Sequence, residues 1–217
     1  MAGKKRKFNY PNLRDLRSEV EERGLDIQFS NDTEVLNESI PIGSRGGPNR
    51  LVAHPMEGND ADKEGGPSTL TIRRYRRLAS GGSGIIWVEA TAVAEDGRSN
   101  PRQLYLNKKS VAGFRELVKE IRDNAKGPDG DSCEPYLVLQ LTHSGRHSFP
   151  FGEHDPVIAH HAKFLDEKYD TIEPDYPVIS DSELEQLKIK YVRAAELARE
   201  SGFDAVDVKS CHGYLIH

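Results

Sequence analysis

The sequence predicts an α/β fold in which parallel strands are joined by crossover helices, and three observations carry that prediction. From residue 50 onward, short apolar runs alternate with segments of helical periodicity. The runs are apolar almost throughout, as burial on both faces of a sheet requires. The segments between them place apolar residues three and four apart, on one face of a helix.

The elements follow in chain order. Residues 1–49 read as an N-terminal extension leading into the α/β part at 50–217. Met1 to Lys7, with Lys4, Lys5, Arg6 and Lys7, is basic but precedes no apolar stretch, so it reads as a solvated tail and not a secretory signal. One helix is expected over Asn12 to Arg23, then an irregular stretch ending in Pro41, Gly43, Gly46, Gly47 and Pro48. Arg50 to Pro55 is the first strand. A helix carrying Ile72, Tyr75, Leu78 and Ala79 follows it. Gly81, Gly82, Ser83 and Gly84 resemble a phosphate loop, yet they follow a helix and precede a strand, the reverse of the order such loops need. They are expected to cap the helix and turn the chain. Gly84 to Ala90 is the second strand, and Val111, Phe114, Leu117, Val118 and Ile121 mark the second helix. Pro135 to Leu141 is the third strand. Residues 143–179 form a long connection of the kind that is usually functional or disordered. In the third helix Leu184, Leu187, Tyr191, Ala194, Ala195 and Ala198 form one stripe, Ser180 and Glu183 make a capping box, and Gly202 suits a left-handed C-terminal cap. Asp204 to Lys209 is the fourth strand. These four units use the whole chain, so a closed eight-stranded barrel does not fit within it.

Composition removes several function classes. A net charge of -5 leaves no basic surface for nucleic acid. No apolar run reaches the ~18 residues needed to span a membrane. Two cysteines, Cys133 and Cys211, are too few for a disulfide framework and fit a reducing compartment, so a cytoplasmic protein is expected. His143, His147, His154, His160 and His161 crowd one connection, but neither a Cys pair nor an H-E-x-x-H helix accompanies them, and no metal site is expected.

Each strand runs into chemistry-bearing residues. His54, Pro55, Met56 and Glu57 follow the first, and Glu89 and Ala90 end the second. Gln140, Thr142 and His143 close the third, and Lys209, Cys211, His212 and Tyr214 follow the fourth. Loop starts are polar for reasons of solvation alone, so no one residue carries the inference. Four strands delivering such groups to one C-terminal edge is nonetheless the pattern of an α/β ligand site. Cys211 beside His212 is expected to be a packed thiol, because adjacent loop residues seldom face each other. If the chain stays extended there, His212 and Tyr214, two apart, share a side.

Five ordered segments then point to a family. N-R-L-V-A-H-P-M (49–56), Y-R-R-L-A-S-G-G-S-G-I-I-W-V-E-A (75–90), E-D-G-R (95–98), Q-L-T-H-S-G-R (140–146), and S-G-F-D (201–204) leading to C-H-G-Y-L-I-H (211–217) resemble the successive signatures of old yellow enzyme type flavin oxidoreductases. The resemblance implies a (β/α)8 TIM barrel, here truncated to about its first four βα units. It implies FMN, NAD(P)H as hydride donor, and a small-molecule acceptor such as an electron-poor alkene. By position, Pro55 and Met56 resemble the segment lying against the flavin, Ala90 the small residue beside its pyrimidine edge, and Gln140 the amide bonding that edge. Glu57 is unusual after Pro-Met and would add negative charge near the flavin. His212 and Tyr214 resemble an acceptor anchor and the proton donor. Lys209 stands where the family pattern has its first histidine, and a compact ammonium differs in charge and reach from an imidazole.

The implied reaction moves hydride from NAD(P)H to flavin N5 and then to an acceptor held by His212 and Lys209, with Tyr214 giving the proton. Two alternatives stay open: a flavin dehydrogenase acting on amines, and a non-catalytic half-barrel fragment. Four strands would leave open sheet edges, so the 217-residue chain by itself is expected to be inactive.

Overall fold

A computed structural model describes residues 9–127 and 130–217. The basic run at residues 4–7 lies outside the described residues. The chain forms two compact units, Met1–Glu34 and Val35–His217. In the first, α1 (Leu13–Glu22) starts where Asn12 accepts a hydrogen bond from the Asp15 N–H at 3.0 Å and stops at Arg23, as the pattern predicted.

The second unit alternates β1 (Val52–Ala53), α2 (Thr69–Ser80), β2 (Ile85–Ala92), α3 (Val111–Asn124), β3 (Tyr136–Thr142), the single turn α4 (Lys163–Asp166), α5 (Asp181–Ser201) and β4 (Ala205–Val208). All strand pairs are parallel, in the order β1-β2-β3-β4. This is the arrangement of half a (β/α)8 barrel. β1 is shorter than expected because Pro55 offers no N–H and the Met56 N–H bonds the His54 carbonyl at 2.9 Å, closing a tight turn. β2 ends two residues later than expected, and its register with β3 shifts between Val88 and Thr91, so that Glu89 and Ala90 stand opposite Gln140 alone.

The two faces of the sheet differ. Ile86, Val88, Leu137, Leu139 and Leu141 pack against Tyr75, Ala79, Phe114, Leu117, Ile121 and Ala198 of the covering helices, forming the main core. Each such large side chain contributes about 1.5–3 kcal/mol by leaving water. The opposite face carries a smaller cluster of Ile85, Tyr136 and Val138, against which Ile40, Ile42, Trp87 and Ala205 pack. Ile85 and Tyr136 begin their strands, so this cluster closes the N-terminal end and leaves the C-terminal end for polar groups. Among the described residues β4 has only β3 as a strand neighbour, and its Val206 and Val208 are exposed.

Local signals read from sequence take the expected forms. Ser180 and Glu183 form a reciprocal capping box, and Gly202 closes α5 at φ 94°. Asn49, fully buried, accepts from the Gly84 N–H at 2.9 Å and donates to the Gly82 carbonyl at 2.8 Å. A side chain on Gly84 would collide with the Asn49 backbone. The glycine run is thus a turn locked to Asn49.

Candidate active site

Parallel strands bring the segments after β1, β2 and β4 to one edge of the sheet, and three of them meet there. Glu57, after β1, places Oε1 3.4 Å from Lys209 Nζ and 3.5 Å from the Tyr214 hydroxyl, both after β4. Its Oε2 accepts from Ser99 Oγ, after β2, at 3.2 Å. The Lys209 ammonium lies 4.0 Å from the centroid of the Tyr214 ring. The Lys209 and Glu57 side chains are 10% and 19% exposed, so the ion pair is largely withdrawn from water. Burial first, then the Glu57 carboxylate, holds the Tyr214 phenol well above its ordinary range. Tyr214 therefore stays protonated at neutral pH.

Lys209 and Tyr214 thus meet as the sequence pattern suggested, but His212 does not join them. The chain is not extended there: His212 and Gly213 adopt left-handed φ of 60° and 71°, and the Tyr214 N–H donates to the Cys211 carbonyl at 3.2 Å. In that turn His212 Nδ1 comes within 3.0 Å of Cys211 Sγ, and the ring is exposed. The expectation that these neighbours would not face each other is therefore corrected. It assumed ordinary backbone, whereas the left-handed turn at His212 brings its ring back to Cys211. His147, after β3, bonds the His212 carbonyl at 3.0 Å and fixes the turn from outside.

The proposed flavin-side residues fall at the same edge. Met56 is 73% exposed beside the half-buried Pro55. Gln140 is buried and donates one N–H to Asp207 Oδ2 at 2.7 Å, which leaves its second N–H and its carbonyl oxygen available. Ala90 is fully buried and its carbonyl accepts from Gln103 Nε2 at 3.0 Å, so the structure does not bring it to the open surface. An exposed thioether, a proline-fixed backbone and an amide carbonyl fit one edge and face of a planar, hydrogen-bonding ring system.

Sequence reasoning missed the network beneath this edge. Glu89 is fully buried. It accepts from the Gly58 N–H at 2.7 Å, from Tyr75 Oη at 3.3 Å and, in a short contact, from Arg74. Arg74 also bonds Asp60 at 2.6 Å. The signal was present in the lone charged residue of an otherwise apolar strand. Burial pushes the Glu89 carboxyl up, against the pull of Gly58 and Arg74. The loop that carries Met56 and Glu57 is thereby tied to β2 and α2.

The histidines of the connection at 143–179 brace it, some within it and some against neighbouring segments. His143 is buried 3.8 Å from Asp96, whose carboxyl it holds below the usual range. His154 bonds Thr171 and the Arg146 carbonyl, and His161 the Tyr176 carbonyl. Arg146, buried, bonds Asp166 and the Gly213 carbonyl, tying the connection to the turn after β4. Among the described residues no group of three or more His, Cys, Asp or Glu could hold a metal ion.

The sequence signature of the NADH:flavin oxidoreductase / NADH oxidase family matches residues 36–217. The chain belongs to that family. An NADPH dehydrogenase of Listeria monocytogenes is 32% identical over 172 residues, covering 78% of this chain and 46% of that protein. The chain spans about half the length of the curated relatives it matches. The structure is similar to an old yellow enzyme homologue of Zymomonas mobilis (TM-score 0.65, 23% identity, 83% of this chain and 49% of that one). It is equally similar to morphinone reductase in complex with tetrahydroNAD (TM-score 0.66, 23% identity, 83% and 50%). Those two likenesses show the barrel fold. FMN as cofactor and NAD(P)H as hydride donor are what the family and the relative's name imply for proteins of full length. Among the described residues no helix is long and apolar enough to cross a membrane.

Proposed function

We propose that this chain supplies the acceptor-side half of an ene-reductase-type flavin active site, with a small carbonyl-activated alkene as acceptor. The observation that carries the reading is the Lys209–Tyr214 pair at the C-terminal edge, a fixed cation beside a phenol kept protonated. FMN, when bound, supplies hydride taken from NAD(P)H. Pro55, Met56 and Gln140 would hold its ring, the Gln140 amide supplying hydrogen bonds to the polar edge, and Ala90 would leave room beside it.

Lys209 donates to the acceptor oxygen and stabilises the negative charge that develops on it, a role in which one donor contributes about 3 kcal/mol. His212, whose ring is exposed, is the second donor when it leaves Cys211 for a seated acceptor. Tyr214 delivers its proton to the neighbouring carbon, and its high affinity for protons suits an acid that must not ionise beforehand. The phenolate left behind is reprotonated from water.

The two open sheet edges support placing full activity in a chain that carries the rest of the barrel seen in its relatives. A cytoplasmic site of action and a non-nucleic-acid, small-molecule partner complete the reading. Tyr214→Phe in the holoenzyme tests it, because only the hydroxyl is removed. Reduction by NAD(P)H should be nearly unaffected, while reoxidation by an alkene should slow by ~100-fold. Equal rates in both half-reactions would assign the proton to another group. An amine oxidised faster than any alkene is reduced would favour the dehydrogenase alternative.

A further inference from the structure

We propose that Glu57 is a positioning and specificity residue on the acceptor side: it clamps Lys209 and Tyr214 together and keeps the site's charge balanced, so that neutral carbonyl compounds enter in preference to carboxylates. This rests on the reading of Lys209 and Tyr214 given above, and it moves Glu57 from the flavin edge to the acceptor anchor.

The geometry is specific. A single oxygen, Glu57 Oε1, is shared between Lys209 Nζ at 3.4 Å and the Tyr214 hydroxyl at 3.5 Å, and the second oxygen is steadied by Ser99. The three contacts come from the segments after β1, β2 and β4, so they converge across 152 residues of sequence for Lys209 and 157 for Tyr214. A carboxylate and an ammonium so little exposed need each other, since either charge alone would be held out of water without compensation. All three separations lie at the long end of hydrogen bonding. The carboxylate is therefore not saturated, and Lys209 is free to turn one N–H to an incoming oxygen while Glu57 retains another. Catalytic contacts commonly tighten in this way once the site is filled.

The balance of charge has a consequence for ligand choice. With Glu57 present, the pair presents no net charge, and an entering carboxylate meets a like charge within a few ångströms of its counter-ion. A carbonyl oxygen meets no such repulsion. Without Glu57 the same pocket holds an uncompensated cation and should attract anions. The groups facing Tyr214 are Glu57, Lys209, Cys211, His147 and Tyr169. Removing the Glu57 charge deletes a neighbour that opposes ionisation of the phenol, and the phenol should then ionise at lower pH.

Calorimetric titration of the holoenzyme with benzoate, a carboxylate probe, tests the proposal independently of turnover. Glu57→Gln should bind benzoate about tenfold more tightly, an effect that fades with added salt. Lys209→Met should abolish the gain when combined with Glu57→Gln. Lys209→Arg should preserve it, which guards against loss through misfolding. The alkaline limb of acceptor reduction should move to lower pH in Glu57→Gln and stay in place in Glu57→Asp. Unchanged benzoate affinity in Glu57→Gln, or weakened FMN affinity with an unmoved alkaline limb, would overturn the proposal and return Glu57 to the flavin edge. Failure of the Tyr214→Phe test would remove the reaction assigned to the site, yet leave the benzoate series a valid measure of the Glu57–Lys209 pair.

Discussion

Glu57 and Glu89 are two carboxylates on neighbouring parts of the same edge, and they are held in opposite ways. Glu89 is fully buried, with the Gly58 N–H at 2.7 Å, Arg74 in short contact and Tyr75 behind. Glu57 is partly open, and its contacts run from 3.2 to 3.5 Å. A buried charge costs several kcal/mol unless every lone pair is met, so the tight set reports a structural duty. A loose set at the mouth of a sheet leaves capacity for a ligand. Partner distance, more than residue type, separates the carboxylate that builds the edge from the one that works on it.

Mutations should divide along the same line. The largest effect is expected from Arg74→Leu, which strands the Glu89 charge in the interior. Urea denaturation should show a loss of about 3 kcal/mol, the low end for breaking a buried pair because Arg74 is partly exposed. Next is Tyr75→Phe. The Glu89 N–H donates to that hydroxyl at 2.7 Å, and leaving it unpaired should cost about 2 kcal/mol in the same measurement.

A smaller effect belongs to Asp60 and depends on pH. Burial pushes its carboxyl up, but hydrogen bonds from Arg74 and Thr71 outweigh that and leave it below the ordinary value. An acid whose folded value is depressed contributes stability above its unfolded value, about pH 4, and loses it as pH falls through the folded one. Asp60→Asn should therefore be less stable than the parent at neutral pH, and the gap should narrow on acidification below about pH 4. Glu57→Gln comes last: the amide oxygen still accepts from Lys209, but the ammonium loses its counter-charge, and the cost to the fold should be about 1 kcal/mol, even though it alters the acceptor step. If Glu57→Gln destabilised as much as Arg74→Leu, the division between the two glutamates would fail.

Much of this was legible in residue order. The helical stripes, the Ser180–Glu183 cap and the Gly202 stop depend on neighbours within a turn or two of chain, and they appear where the pattern put them. The four apolar runs also became strands, and the order of their ends put Lys209 and Tyr214 at one edge. The turn at His212 was not legible. A non-glycine residue at φ 60° is an exception to local preference, imposed by the bond from His147 and by the Arg146 anchor at Gly213. The Glu89 network was half visible, since a lone acid in an apolar strand needs a partner, but which partner depended on how α2 packs.

The sequence alone therefore determined the α/β order, the helix ends and the strand edge that carries the chemistry, because those follow from periodicity and short-range hydrogen bonding. Only the tertiary structure decided that Glu57, 152 residues from Lys209, is its counter-ion, and that His212 turns to Cys211 instead. Charge pairing across a sheet edge is a matter of distance in space, and parallel strands set that distance through register and loop path, neither of which is written in the residues that meet.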